Sequence, residues 1–77
     1  MKVDLTDFEI SALSNEDIHF DRKREYTEDE ALQLLYEVRN AEVKYSQYYT
    51  ADKEKMFFLY GKIGDKIFSQ IPADDNI

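Results

Sequence analysis

The stretch Thr27–Tyr49, TEDEALQLLYEVRNAEVKYSQYY, contains neither glycine nor proline and repeats its apolar residues at helical spacing. At about 100° per residue, Ala31, Leu34, Leu35, Val38, Ala41, Tyr45 and Tyr49 fall on one face of a helix, while Leu32, Tyr36 and Val43 fall on another, well round the cylinder. A simple helical hairpin needs one apolar stripe, so the second calls for a cover: the N-terminal third of the chain or another molecule. Thr27-Glu28-Asp29-Glu30 opens the run as a capping box, with the Thr hydroxyl accepting a first-turn amide and Glu30 reaching back to the Thr27 amide. The same acids suit the positive end of the helix dipole.

Beyond a short turn near residues 49–52, Thr50-Ala51-Asp52 offers new caps for a second periodic run. There Met56, Leu59, Tyr60, Ile63, Ile67 and Ile71 share a face, with Phe57 and Phe68 at its shoulder and Phe58 nearly opposite. Gly61 and Gly64 lie inside this run, where each costs about 1 kcal/mol relative to alanine; their interior placement favours the admission of a bulky neighbour over a kink or hinge. Pro72 ends the helix, and residues 73–77 are expected to fray.

The first 26 residues are less regular. Thr6-Asp7-Phe8-Glu9 is again a capping box and predicts a short helix to about Leu13 that presents Phe8, Ala12 and one or both of Leu5 and Leu13. Ser14-Asn15-Glu16-Asp17 reads as a turn or a further helix start, and Ile18-His19-Phe20 as extended chain or one helical turn. Val3, Leu5, Phe8, Ile10, Leu13, Ile18 and Phe20 supply enough apolar surface to cover Leu32, Tyr36 and Val43. The expected fold is all-α, a single small domain over residues 1–77: a covering segment (1–26), a long antiparallel hairpin (27–49 and 52–71) and a frayed tail (72–77), in a three-helix arrangement. A strand at residues 2–5 or 17–21 is the structural alternative.

Composition narrows the function. A net charge of −7 opposes direct binding to a phosphate backbone, which draws its affinity from Lys and Arg. The one cationic cluster of the first half, Arg22-Lys23-Arg24, sits between Asp21 and Glu25 and is read as neutralising its own surroundings. Cysteine is absent, which removes disulfide and thiolate chemistry; no apolar run is long enough to span a bilayer, and early acids disfavour a signal peptide. A cytoplasmic protein is expected, with no membrane partner, no small-molecule substrate, no cofactor and no metal. Glu28-Asp29-Glu30 points its acids to different sides of a helix and lacks a calcium-loop pattern. His19, flanked by Asp17 and Asp21, has no nucleophile or oxyanion site to serve, so no enzyme is expected.

The segment Tyr26-Thr27-Glu28, with Glu30 and Gln33-Leu34-Leu35, resembles the opening of a helix in the small acidic immunity proteins that inactivate nuclease colicins. That family's following Tyr-Tyr-Pro binding segment has no counterpart, and no fold, function or binding residue is carried over. The resulting expectation is a noncatalytic acidic interaction module, a regulator, inhibitor or accessory subunit. Its contacts are Leu32, Tyr36 and Val43, with Tyr48 and Phe58 at the periphery, tyrosine being an interface-enriched residue. The alternatives are a structural homo-oligomer paired through Leu32, Tyr36 and Val43, and an acidic nucleic-acid mimic that occupies a basic enzyme groove.

Overall fold

The computed structural model describes residues 1–72; the expected frayed tail 73–77 lies outside the described residues. Three helices follow in chain order: α1 (Asp7–Ser14), α2 (Glu28–Tyr45) and α3 (Ala51–Gln70), and no strand forms among the described residues. Each begins at a threonine whose side chain accepts a first-turn amide: Thr6 from Glu9, Thr27 from Glu30 and Thr50 from Lys53. At Thr6 and Thr27 the reciprocal glutamate bond completes the capping box. The helices thus start where the sequence indicates, because cap chemistry is local.

Helix α2 ends at Tyr45, short of the expected Tyr49. The Ser46 hydroxyl donates to the Val43 carbonyl at 2.6 Å, and the Tyr48 amide turns back to the Tyr45 carbonyl at 3.3 Å. Tyr45 keeps its place in the core, whereas Tyr49 falls outside the helix and is 99% exposed. Its expected core position is therefore corrected: beyond Ser46 the helical angle no longer applies.

Helices α2 and α3 form the antiparallel hairpin, and the chain ahead of them packs across one side of it. One core unites Leu34, Val38, Ala41 and Tyr45 of α2 with Tyr60, Ile63 and Ile67 of α3, and with Val3, Leu5, Ala12, Leu13, Ile18 and Phe20 of the N-terminal segment. Ala12, Leu13 and Leu5 are buried as expected, whereas Phe8, expected to face inward with them, is exposed. The turn after α1 carries the Schellman pattern: the Asp17 amide bonds to the Ser14 carbonyl and the Ile18 amide to the Leu13 carbonyl, both at 3.0 Å, with Asp17 at φ 58°. Phe20 then stacks on Tyr26 at 5.5 Å between ring centroids, and the Tyr26 hydroxyl accepts from the Asp21 amide.

Polar contacts fasten this segment to the hairpin along its length. The Asp4 amide donates to Gln70 Oε1 and the Asp4 carbonyl accepts from Gln70 Nε2. Lys66 Nζ lies 2.8 Å from Glu9 Oε1; the Tyr60 hydroxyl donates to the Ala12 carbonyl; Lys44 Nζ and the Tyr45 hydroxyl both donate to the Glu16 carboxylate. Met1 and Tyr26 exchange hydrogen bonds from nitrogen to carbonyl in both directions at 2.7 Å, which closes the segment on itself.

Candidate interaction face

Leu32, Tyr36 and Val43 are 44%, 62% and 57% exposed, so the N-terminal segment does not cover them. The apolar residues available for that purpose fill the opposite side of the hairpin. Contacts orient both helices: α2 turns Tyr45 and Lys44 toward the segment through Glu16, and α3 turns Lys66, Tyr60 and Gln70 toward it through Glu9, Ala12 and Asp4. Leu32, Tyr36 and Val43 lie about 140° or more from the centre of the α2 core stripe. They line the outer face of the hairpin.

On α3 the same outer face carries Phe58 and Phe68, 56% and 62% exposed. Phe68 was placed at the shoulder of the core by its spacing; it lies about 100° from the core centre and faces outward. Between the two rows of apolar side chains Arg39 crosses from α2 to α3. Its guanidinium lies 2.9 Å from Glu42 Oε1 and 2.8 Å from Asp65 Oδ1, and donates to the Gly61 carbonyl at 3.4 Å. Both acids hold the guanidinium charged, raising its pKa, Asp65 foremost.

The two glycines explain how Arg39 fits. A Cβ at Gly64 would stand 2.8 Å from Arg39 Nη1 and 2.9 Å from its Cζ, and one at Gly61 would stand 3.0 Å from Glu42 Oε2. The bulky neighbour that the glycines admit is thus an ion-paired side chain on the outer face. Apolar side chains lie on both sides of it: Leu32, Tyr36 and Phe68 toward the start of α2, Val43 and Phe58 toward the hairpin turn.

At that turn Tyr48 and Phe58, the two expected peripheral contacts, line one cleft together with Tyr45, Tyr49, Glu54 and Phe57. Tyr45 stacks on Tyr60 at 5.7 Å with 7° between ring planes and meets Tyr48 at 6.4 Å, while Phe57 and Phe58 stand edge to face. Lys53 Nζ sits 5.3 Å and 5.6 Å from the Tyr45 and Tyr48 ring centroids, within cation–π range. The five expected contact residues therefore divide into three on the outer face of α2 and two at the tip, with Phe58 adjoining both. Phe68 and Tyr49 join them unforeseen.

The inner latches carry the shifted acidities. Burial raises the Glu16 carboxyl, but the Tyr45 hydroxyl and the Lys44 ammonium outweigh it and hold the group below the usual carboxylate range. Glu9 behaves alike: burial opposes, and Lys66 with the Thr6 amide and hydroxyl prevails. Burial, reinforced by Glu16 and Tyr45, pushes the Tyr60 hydroxyl up to about 12. These groups are absorbed in holding the N-terminal segment.

The cationic cluster is likewise spoken for in part: Arg22 pairs with Asp7 and Arg24 with Glu30. His19 borders a depression with Arg24, Glu30, Gln33 and Glu37, while the Asp21 carboxylate accepts from the Lys23 amide instead. Among the described residues no group of three or more His, Cys, Asp or Glu side chains is placed to hold a metal ion, and no helix is long and apolar enough to cross a membrane. No protein-family model matches this chain, and neither a curated protein nor a solved structure matches it.

Proposed function

We propose that this chain is a noncatalytic protein-interaction module of the cytoplasm, a small regulator, inhibitor or accessory subunit, that works by burying the outer face of its hairpin. The observation that carries the reading is the placement of Leu32, Tyr36, Val43, Phe58 and Phe68 on one side of a molecule only 16 Å thick, each at least 44% exposed. Single exposed apolar residues are ordinary, but five on one side of the hairpin, grouped at either end of a polar centre, favour a contact surface. Among the described residues no second layer of chain covers it.

An acidic mimic of nucleic acid is less well supported. Asp7, Glu9, Glu16, Glu30, Glu42 and Asp65 each hold a cation of the same chain, which dilutes any negative strip these acids could form. Mimicry would also work through carboxylates and weaken steeply with salt.

The reading is tested by comparing specific protein partners captured by the wild-type chain and by the Tyr36→Ala, Tyr48→Ala, Phe58→Ala triple variant. The expected result is loss of the wild-type partners with the helical circular dichroism unchanged, since all three side chains are at least half exposed. Capture of every partner by a folded triple variant overturns it.

A further inference from the structure

We infer that the occupant of the outer hairpin face is a second copy of this chain, joined about a twofold axis that passes near Arg39. This rests on the interaction-module reading and names its partner. Taking roughly 200 Å² for a fully exposed large aromatic side chain, Tyr36, Phe58 and Phe68 present about 350 Å², and Leu32 and Val43 bring the apolar total to about 500 Å². Two copies thus remove about 1,000 Å² of apolar surface from water before the polar rim is counted, the area at which a specific interface becomes credible.

The layout of the face is self-complementary. Apolar groups lie on either side of a polar centre, and a twofold axis in the interface plane, perpendicular to the helices, exchanges the two ends while returning the centre to itself. The Leu32–Tyr36–Phe68 end of one copy then meets the Val43–Phe58 end of its partner. At the axis the two Arg39 side chains approach each other, and each keeps its own Glu42 and Asp65 carboxylates, so no unpaired cation is buried. Any other partner would have to supply matching apolar ends; a second copy supplies them by symmetry.

Net charge adds a sign. Each copy carries −7, so long-range repulsion opposes pairing and salt relieves it. Association of this apolar face therefore strengthens with ionic strength, whereas a contact made by carboxylates on a basic surface weakens.

The test is sedimentation of the full chain from about 1 µM to about 1 mM, the range fitting a modest interface, at low and high NaCl. The wild-type chain is expected to pass reversibly from monomer to dimer, at lower concentration in high salt. Phe68→Glu and Leu32→Lys are expected to weaken the dimer by about 100-fold or more, the effect of burying an unpaired charge at an interface core. Both positions are exposed, so circular dichroism should be unchanged. Phe8→Glu, at an equally exposed phenylalanine on α1 and off this face, is expected to leave the dimer intact. A monomer throughout the range, association that survives both face variants, or equal loss in Phe8→Glu overturns the inference. A monomeric wild type that still loses its captured partners as the triple-alanine variant would overturn the second copy alone and leave the interaction-module reading standing.

Discussion

The Tyr60 hydroxyl donates to the Ala12 carbonyl at 2.7 Å, a contact that ties the middle of α3 to the last turn of α1 inside the core. Tyr60 is fully buried, so removing its hydroxyl leaves a carbonyl without this partner in a place water does not reach. Tyr60→Phe is expected to lower unfolding stability by about 1–2 kcal/mol, read as a shifted urea midpoint at unchanged slope. The raised hydroxyl pKa adds a pH effect whose sign follows from linkage. Because the folded value, about 12, lies above the ordinary value of 10.0, the hydroxyl contributes stability that is complete below pH 10 and lost as pH rises toward 12. Tyr60→Phe should flatten that alkaline decline.

Glu16 sets the opposite limb. Its carboxyl is held low by Tyr45 and Lys44 against the opposing effect of burial, so its contribution is present above the unfolded carboxylate pKa and disappears as pH falls through the lower folded value. Glu16→Ala is expected to cost about 1–2 kcal/mol at neutral pH, the scale of charge-assisted hydrogen bonds at a partly buried site. The cost should shrink on acidification, measured as urea unfolding of wild type and variant across the acid range. An equal deficit at every pH would show that the carboxylate charge is not what the latch uses.

Asp17 occupies the left-handed position that ends α1, where glycine is the usual occupant because it has no Cβ to strain. No hydrogen bond or ion pair of the Asp17 side chain is formed among the described residues. Asp17→Gly is therefore expected to stabilise the fold by about 0.5–1 kcal/mol, with thermal unfolding moving upward, while Asp17→Ala should destabilise it.

Such details mark the boundary between what the chain discloses in one dimension and what it does not. The starts of all three helices were legible because Thr6, Thr27 and Thr50 cap through residues three positions away. The core stripe of α2 from Ala31 to Tyr45 was legible because its period is helical. The fate of the second stripe was not, since periodicity places Leu32, Tyr36 and Val43 on one side of a helix without saying which segment lies there. Packing decided it: Val3, Leu5, Leu13, Ile18 and Phe20 join the core with Tyr45, Tyr60 and Ile67, and Glu9 and Glu16 latch the segment there, on the side away from Leu32, Tyr36 and Val43. Phe68 was misplaced because a shoulder position can turn either way, and Tyr49 because the angular extrapolation ran past the Ser46 stop.

The two helical glycines separate these effects by experiment. At Gly61 a new methyl meets the terminal oxygen of Glu42 at 3.0 Å, a flexible end that can give way. Gly61→Ala should then realise most of the helix-propensity gain, about 0.5–1 kcal/mol. At Gly64 the methyl would stand 2.8 Å from the Arg39 guanidinium and push it off α3, away from Asp65, so the same gain is offset and Gly64→Ala is expected to be near neutral. Combining Gly64→Ala with Arg39→Ala removes the obstacle, and the alanine at position 64 should then stabilise by about as much as the one at position 61. A double-mutant cycle on chemical unfolding reads this coupling directly. Additive effects at positions 39 and 64 would mean that Arg39 does not lie over Gly64, and the polar centre of the outer face would have to be redrawn.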